Sequence, residues 1–369
     1  MLQLPLVLHG PANSPTGISY AKQYLTRELR ALGYSVESWS PGNPVQLANG
    51  TLSYPKDPTW TIKGFHFVID QPMLLDPAYP WHGCMPFFEL PLRPDEQQKL
   101  KLTAPRLVCC SNPWMQSQLI ALNPNIDPGW FPLVTLGADP LLFDVTRITG
   151  SVITVGKAEP RKGTRILLQV LKELKLSGYL AITSPLHTQP ELERLQDYAD
   201  AGNHTLLNFM GAHEEIFALL QSCHVAVFPA SAEGFGLCVT EAIAQGCVVV
   251  ASDIPAFRYQ YEILREAVGP EETDARMILV PTQMVPMTPH QRWYPSVLYP
   301  GVQWPEVTVD DLKVAITKAL QYPFPRAWEP GEFPLTWKHA AERLSSAIEN
   351  RPILNKQRRA VFGSPESKQ

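Results

Sequence analysis

The feature that most constrains the fold is an alternation of short apolar runs with longer amphipathic stretches. Runs rich in Val, Ile, Leu and Phe are typical of strands buried on both faces, and the amphipathic stretches are typical of helices. In the first part of the chain this predicts strands at Leu4–Leu8, Tyr34–Trp39, Phe65–Ile69 and Leu107–Cys110, with helices at Ile18–Leu32 and Met115–Leu122. Such βαβ order predicts a parallel sheet covered by helices.

The same alternation restarts near residue 151. It predicts strands at Val152–Val155, Tyr179–Thr183, His204–Phe209, His224–Phe228 and Val248–Ala251, and helices at Arg165–Leu176, Glu191–Ala199, Glu214–Gln221, Glu241–Gln245 and Val309–Leu320. A chain of 369 residues is also too long for one ordinary domain. We therefore expect an α/β protein of two Rossmann-like domains, 1–148 and 149–322. A helix over about 335–350 is expected to cross back to the first domain, and 351–369 to form a tail.

Composition narrows the classes of partner. Hydrophobic residues make up 45% of the chain and charged residues 18%, as in globular proteins. The net charge of -4 gives no field that favours nucleic acid or an anionic membrane, although a peripheral membrane contact stays open. No apolar run approaches the ~20 residues of a membrane-spanning helix, and the first residues lack a basic signal region. With six scattered cysteines, reduced thiols and a cytoplasmic location are expected; the oligomeric state is left open.

The first constellation of residues that could bind a ligand or take part in a reaction is AEGFGLCVTE, residues 232–241. Gly234 and Gly236 follow a predicted strand and precede a helix, where exposed backbone N–H groups favour phosphate or sugar oxygens. Glu233 and Glu241 flank the glycines, and each carboxylate can accept hydrogen bonds from hydroxyl groups of a ligand. The alternative is a glycine turn between two surface glutamates.

The second constellation is VGKAEPRKG, residues 155–163. Lys157 and Lys162 flank a turn after a strand, with Arg161 beside the second lysine. Cations at this end of a strand suit a leaving diphosphate, whose charge must be neutralised. The alternative is a solvated basic loop, so the pattern gains weight from lying in the same half as the glutamates.

The remaining candidates are weaker. The turn GPANSPTG, residues 10–17, lacks G-x-G-x-x-G, and no G-x-x-x-x-G-K-[ST] occurs, which removes the support for a dehydrogenase or an ATPase. His82 and Glu89 could orient an acceptor or be purely structural. No DxD, HxxxH or clustered His/Asp set indicates a catalytic metal.

Together these residues resemble the family 4 retaining glycosyltransferases, whose fold is GT-B. AEGFGLCVTEAIAQGCVVVAS resembles the family's glutamate-x7-glutamate signature, and VGKAEPRKG resembles its strand-turn with two cations five apart. FPLVTLGADPLLF, LNFMGAHEEIFALLQSCHVAVFPA and WKHAAERL resemble further family segments in the expected order. The agreement covers roughly 130–260 best. It implies two Rossmann-like domains that face a central cleft.

The resemblance also implies residue roles. Glu233 would contact the donor hexose, and Glu241 would bind the ribose hydroxyls. Gly234, Phe235, Gly236 and Leu237 would present backbone N–H groups to the sugar and phosphate. Lys162 matches the lysine at the diphosphate, Lys157 stands where arginine is usual, and Gly17 matches a glycine near the phosphates.

The implied activity is metal-independent transfer of a hexose from a nucleotide-diphosphate sugar to an acceptor hydroxyl on a carbohydrate, a lipid or another molecule. No cofactor is implied, because the nucleotide sugar is a substrate. Two alternatives stay open, a catalytically silent GT-B scaffold that binds sugar nucleotides and a sugar-nucleotide epimerase. The chain departs from the family in the aromatic, Pro-rich segment 281–306, where Trp293, Tyr294, Tyr299 and Trp304 could form a sugar platform, a subunit contact or a packed loop.

Overall fold

The protein is described from a computed structural model. The structure describes residues 5–10, 17–39, 45–46, 52–53, 63–70, 81–88, 97–98, 100–102, 104–157, 159–182, 204–208, 213–286 and 303–352. The predicted helix at 191–199 lies outside these residues, as do Glu89 and most of the tail.

The strands are β1 (Leu6–His9), β2 (Val36–Trp39), β3 (Val45–Gln46), β4 (Leu52–Ser53), β5 (Phe65–Asp70), β6 (Gly83–Pro86), β7 (Leu107–Val108), β8 (Ile148–Gly156), β9 (Gly178–Ile182), β10 (Thr205–Asn208), β11 (Cys223–Phe228), β12 (Val248–Ser252), β13 (Met277–Val280), β14 (Thr282–Pro286) and β15 (Gln303–Val307). The helices are α1 (Gly17–Ala31), α2 (Pro113–Leu122), α3 (Thr164–Leu174), α4 (His213–Ser222), α5 (Leu237–Ala244), α6 (Pro255–Val268), α7 (Pro270–Arg276), α8 (Val309–Ala319) and α9 (Trp337–Asn350).

The chain divides into two compact units, of which the first comprises Met1–Leu136 and Trp337–Gln369. Its main sheet has the order β2-β1-β5-β6-β7, with every neighbouring pair parallel. Helix α9 belongs to this unit and packs on α1, where the rings of Tyr24 and Trp337 stack with centroids 5.0 Å apart. The C-terminal helix therefore completes the first unit, although two hundred or so positions separate it in sequence.

The second unit, Gly137–Thr336, contains a six-stranded parallel sheet of order β10-β9-β8-β11-β12-β13. Successive residues of its strands point to opposite faces. Ala226 of β11 and Val249 of β12 lie in one apolar core with α4, α5 and α6, whereas Val225 and Val248 lie in another with α3 and α8. Both faces are therefore buried, which explains why these strands read as continuous apolar runs.

The division between the units falls after Leu136, before the boundary expected at 148. The intervening residues pack within the second unit. Ala138 is fully buried in its core and donates its backbone N–H to the Leu335 carbonyl at 2.8 Å, and the Phe143 N–H donates to Gln221 at 2.9 Å. At the other end, Arg351 is buried in the first unit with its guanidinium 4.6 Å from the Phe65 ring centroid, so the expected tail includes an anchored residue.

The aromatic segment begins and ends in a hairpin. Strands β14 and β15 pair antiparallel, with Val285 opposite Trp304. Trp304 is only 1% exposed and donates its indole N–H to Glu306 at 2.8 Å, so it serves packing rather than a sugar platform. Trp293, Tyr294 and Tyr299 lie outside the described residues.

Across the described residues, none of the helices is both long and apolar enough to cross a membrane. All six cysteines are free thiols, and burial raises the pKa of Cys238 to about 12. These thiols are held largely protonated at neutral pH, because the thiolate is disfavoured away from water.

Three histidines stack across the sheet of the first unit. His9 and His66 share a 2.9 Å hydrogen bond between ring nitrogens, and the His66 and His82 ring centroids are 5.7 Å apart. His82 precedes β6 at the amino edge of the sheet, and its Nδ1 accepts the backbone N–H of His66 at 3.0 Å. Partial burial, with the charges of His66, Arg351 and Arg106, lowers the pKa of His82 to about 4.

This arrangement predicts an acid-sensitive fold. Because the folded pKa of His82 is about 4 and its ordinary value is 6.5, the unfolded chain takes up the proton first as the pH falls. Stability from neutral His82 is complete above about pH 6.5 and is lost towards pH 4. Urea unfolding from pH 7.5 to 4.5 should show this decline. His82→Asn keeps an acceptor near Nδ1 without titrating, so its decline should be shallower; equal slopes would contradict the assignment.

Candidate active site

The strand order of the second unit locates the candidate site. After β8 the chain adds β9 and β10 on one side, and it then returns to place β11 on the other side of β8. Ligands of open parallel sheets bind at the carboxyl ends of the strands where the order reverses. The loop with Lys157 and Lys162 follows β8, and the loop with Glu233 follows β11. Both predicted constellations thus lie at the switch point.

The two loops are joined by backbone contacts. Residues Pro160–Lys162 form a short 3-10 turn that ends at Gly163, whose φ of 68° is left-handed. The Ser231 N–H donates to the Arg161 carbonyl at 2.7 Å, and the Arg161 Nη1 donates to the Ala232 carbonyl at 2.8 Å. The position of one loop therefore fixes the position of the other.

A buried cluster of charges joins their side chains. The Lys162 Nζ is ion-paired with the Glu233 Oε1, and the Arg161 Nη1 lies 3.3 Å from the same oxygen. Glu159 lies between Arg161 and Lys157. One of its carboxylate oxygens is 2.8 Å from the Arg161 Nε, and the other is 3.6 Å from the Lys157 Nζ. The side chains of Glu233, Arg161 and Lys162 are 7%, 5% and 16% exposed, which excludes surface glutamates and a solvated basic loop at these positions.

Charge balance keeps this cluster ionised. Burial alone would raise the pKa of Glu233, but Lys162 and Arg161 outweigh it and hold the pKa below its ordinary value. Burial would likewise lower the pKa of Lys162, and the Glu233 carboxylate reverses this and raises it. Burial opposes ionisation of Glu159 as well, and Arg161, Lys157 and Lys162 together lower its pKa. At neutral pH the cluster therefore holds three cations and two carboxylates.

A pocket opens beside this cluster at the carboxyl ends of β8 and β11. It is lined by Thr154, Val155, Gly156, Lys157, Lys162, Thr164, Phe228, Ala230, Glu233 and Cys238. Glu233, Lys162 and Lys157, the charged residues of the two predicted constellations, thus share one pocket. Its polar atoms are two ammonium groups, a carboxylate and hydroxyls, a set that can contact both a phosphate and a sugar.

The glycine loop leads into helix α5. Gly236 is the N-cap residue with φ 82°, and within the described residues no side chain caps the helix there. The first N–H groups of α5 are therefore open to a ligand, and the helix dipole favours an anion at this end. Leu237 is half-buried and begins the helix, while Gly234, Phe235 and Gly236 are buried in the loop before it.

Glu241 lies further along α5 with a partner that the sequence patterns did not indicate. Its Oε1 accepts a 2.9 Å hydrogen bond from the His213 Nε2, and both side chains are buried. His213 begins α4 and is 4.4 Å from the Phe217 ring centroid. Among the described residues, no hydrogen bond engages the second oxygen of Glu241.

The other predicted residues lie elsewhere. Gly17 begins α1 in the first unit and is exposed. His82 lies at the amino edge of its sheet, whereas ligands meet the carboxyl ends, so its position does not support contact with an acceptor. Glu89 lies outside the described residues. Within the part of the chain that is described, no group of three His, Cys, Asp or Glu side chains could hold a metal ion.

Comparison with known proteins agrees with this site. The family model of glycosyl transferases group 1 matches residues 149–283, which include both loops and α5. The matched part of the second unit is thus similar to the glycosyl transferases of group 1. Its resemblance to a curated protein, the MMP alpha-(1->4)-mannosyltransferase of Mycolicibacterium hassiacum, is 30% identity over 158 residues. That alignment covers 42% of this chain and 37% of the relative.

Solved structures extend the likeness beyond the residues that the family model matches. Sucrose-phosphate synthase of Thermosynechococcus elongatus matches 94% of this chain and 97% of its own, with a TM-score of 0.59 and 15% identity. Alr3699/HepE of Anabaena, solved in complex with UDP and glucose, matches 95% of this chain and 96% of its own, with a TM-score of 0.56 and 14% identity. Both units together therefore have the GT-B fold, as the sequence resemblance implied.

Gly163 offers a test of how closely the two loops of the second unit approach. A Cβ at Gly163 would lie 2.1 Å from the Pro229 carbonyl oxygen, whereas a Cβ at Gly150 would have nothing within 4 Å. Both have left-handed backbone, so alanine at either position costs roughly 1–2 kcal/mol. Gly163→Ala must also displace backbone, and we expect a loss above about 3 kcal/mol. Urea unfolding of the two variants measures the difference, and equal losses would contradict this close approach.

Proposed function

We propose that the protein is a retaining glycosyltransferase that moves a hexose from a nucleoside-diphosphate sugar to an acceptor hydroxyl. The observation that carries this proposal is the meeting of Lys157, Lys162 and Glu233 in one pocket at the switch point, beside the open N-terminus of α5. That pocket offers cations and N–H groups for a diphosphate next to a carboxylate for a sugar. The match to glycosyl transferases group 1 and the UDP and glucose in the Anabaena structure support the same ligand.

In this proposal Lys162 neutralises the diphosphate as it leaves. Its ammonium has three donors, so it can keep its bond to Glu233 and still bind a phosphate oxygen. Lys157 adds a second cation at the rim, where it is 30% exposed. Arg161 is committed to the Ala232 carbonyl and to two carboxylates, so it maintains the loop rather than replacing the arginine expected at position 157.

Glu233 is proposed to contact the hexose. Its carboxylate is fixed by Lys162 and Arg161 from one side, and it lines the pocket. A fixed, ionised carboxylate can accept hydrogen bonds from sugar hydroxyls and stabilise positive charge that develops at the anomeric carbon. The hexose would then react on the face where the diphosphate departs, with the leaving phosphate taking the acceptor proton.

Glu241 is proposed to bind the ribose hydroxyls with the oxygen that His213 does not engage. The 2.9 Å bond from His213 fixes the rotation of the carboxylate, which lowers the entropy lost when the donor binds. We further propose backbone contacts to the donor from Gly234, Phe235, Gly236 and Leu237.

Chemistry of this kind depends on positioning and charge stabilisation. We propose that it needs neither metal nor cofactor, because Lys157 and Lys162 supply the positive charge that a metal would otherwise give to the diphosphate. The acceptor is proposed to be a carbohydrate, a lipid or another hydroxyl compound. A cytoplasmic location is part of the proposal, since six free thiols suit a reducing compartment.

Binding of the donor is tested by thermal unfolding with a panel of nucleotide sugars. A ligand present at 100 times its Kd stabilises the folded chain by about 2.7 kcal/mol, enough to raise the melting temperature measurably. We expect at least one donor to produce this shift in the full chain. A panel without any shift would contradict the proposed donor site.

The reaction itself is tested by proton NMR on the donor that binds. A transferase releases the nucleoside diphosphate, and retention gives a product whose first-formed anomer matches the donor. An epimerase would change the sugar while the diphosphate stays attached, and a silent scaffold would bind without any change. Each of these last two outcomes would replace the proposed activity, and an inverted anomer would overturn retention alone.

A further inference from the structure

We propose that Gln260 is the positioning residue that aims the backbone N–H groups of Gly236 and Leu237 at the donor diphosphate. This inference rests on the proposed function, since it concerns the same donor. Gln260 lies on α6, is fully buried, and lies outside every sequence motif of the site. Of the four residues whose backbone N–H groups are proposed to contact the donor, the inference assigns Gly236 and Leu237 to the diphosphate.

The amide of Gln260 is oriented by its partners. Its Nε2 donates to the Phe235 carbonyl at 2.6 Å and to the Gly236 carbonyl at 3.3 Å. Its Oε1 accepts the hydroxyl of Thr240 at 2.8 Å. Because carbonyl oxygens only accept hydrogen bonds, the Nε2 must face the loop, and the Thr240 hydroxyl holds it there.

These two bonds set the direction of two peptide groups. In a trans peptide the C=O and the following N–H point in opposite directions. A Phe235 carbonyl turned towards Gln260 therefore turns the Gly236 N–H away from it, and the Gly236 carbonyl does the same for the Leu237 N–H. The Gly236 carbonyl also accepts the Val239 N–H at 3.0 Å, which makes it the first acceptor of α5.

A second residue of α6 packs against the glycine loop. A Cβ at Gly236 would lie 2.3 Å from the Cε1 of Phe257, so the ring occupies the space where a side chain would be. Gly236 has φ 82°, which only glycine adopts without strain. Helix α6 thus fixes both the shape of the glycine loop and the face that its N–H groups present.

Two N–H groups at the start of a helix, both turned away from Gln260, suit the oxygens of one phosphate group. The adjoining residue Cys238 lines the pocket with Lys162, which places this end of α5 beside the cation proposed to bind the diphosphate. Gln260 does not line the pocket. Its effect should therefore appear in phosphate binding and be absent from the recognition of the nucleoside.

The experiment compares a nucleoside diphosphate with the nucleoside of the same base, which lacks both phosphates. Gln260→Met keeps the length of the side chain and removes its donors. Affinity for the tightest binder among UDP, GDP and ADP should fall about tenfold or more, as expected when hydrogen bonds to a charged group are lost. Affinity for the nucleoside of the same base should change less than about twofold. Thr240→Val keeps the Nε2 donors, so its loss should be smaller than that of Gln260→Met.

Equal losses for the diphosphate and the nucleoside would overturn the inference, as would an unchanged diphosphate affinity in a folded Gln260→Met. If that variant does not fold, Gln260→Glu keeps the shape and the Thr240 contact, and the same comparison applies. Hydrogen exchange of the unaltered chain needs no variant: the Gly236 and Leu237 amides should be protected by the diphosphate, and unprotected amides would overturn the inference. An unaltered chain that binds none of the three diphosphates would overturn the proposed function instead, and the inference with it.

Discussion

Glu233→Gln is expected to lower kcat by about 10²-fold or more while leaving the affinity for the nucleoside diphosphate unchanged or higher. The carboxylate balances Lys162 and Arg161 in a buried cluster, and glutamine keeps its shape without its charge. The two cations are then free to attract the diphosphate more strongly. The hexose, however, loses the group proposed to stabilise its developing charge.

The same substitution should also destabilise the fold. Removing one partner of a buried ion pair typically costs about 3–5 kcal/mol, because the remaining charge is left without compensation. Saturating diphosphate should restore part of this loss, since it supplies the missing negative charge. Calorimetric titration with the diphosphate, beside turnover measured with the full donor, separates the two effects.

Glu241→Ala is the matched control, because its carboxylate pairs with His213 away from the Lys162 cluster. We expect weaker donor binding with a smaller change in kcat, the reverse of Glu233→Gln. If both variants lost donor affinity alone and kept kcat, the role assigned to Glu233 would be wrong.

Lys162→Met is expected to lower kcat/KM by about 10²–10³-fold, the range seen when one group that stabilises transition-state charge is removed. The ammonium is largely buried and lines the pocket, so water cannot replace it effectively. Among the described residues, Glu233 would be left with one cation partner, Arg161 at 3.3 Å. With only one of its two cation partners left, the buried Glu233 carboxylate would also weaken binding of the negatively charged donor.

Lys157→Met is the control for that prediction. Lys157 carries the same charge in the same loop but is 30% exposed, with its Nζ 3.6 Å from Glu159. Solvent screens an exposed charge, so its removal should cost less than about tenfold in kcat/KM. Steady-state kinetics of both variants with the same donor make the comparison, and equal losses would contradict the distinct roles of the two lysines.

The fold could be predicted from the sequence because strands buried on both faces of a parallel sheet have a recognisable pattern of continuous apolar residues. Strands such as Val248–Ser252 are continuous apolar runs, and their residues divide alternately between two cores. Loops at the switch point were also recognisable, since glycines and charges follow predicted strands there. The domain boundary was less accessible, because the packing of Ala138 and Phe143 leaves no local pattern.

The sequence patterns missed the residues that hold other residues of the site in position through hydrogen bonds. His213 is 28 positions from Glu241, and Gln260 is 24 positions from the Gly236 carbonyl that it binds. Neither contact follows from periodicity, because it depends on how separate helices pack beside one strand. Arg161 was visible in its loop, but its burial against Ala232 and Glu233 was not. His82 was selected as a histidine in a loop between predicted strands, and the sheet places it at the amino edge.

The most direct test of a donor site built on Lys162 and Glu233 is release of nucleoside diphosphate from a panel of nucleotide sugars, with the full chain and a mixture of acceptors. We predict release from at least one donor by the unaltered chain, and release slower by about 10²-fold or more with Lys162→Met. Folded, unaltered protein that releases no diphosphate from any donor would contradict the account. Undiminished release by Lys162→Met would place the reaction elsewhere in the molecule.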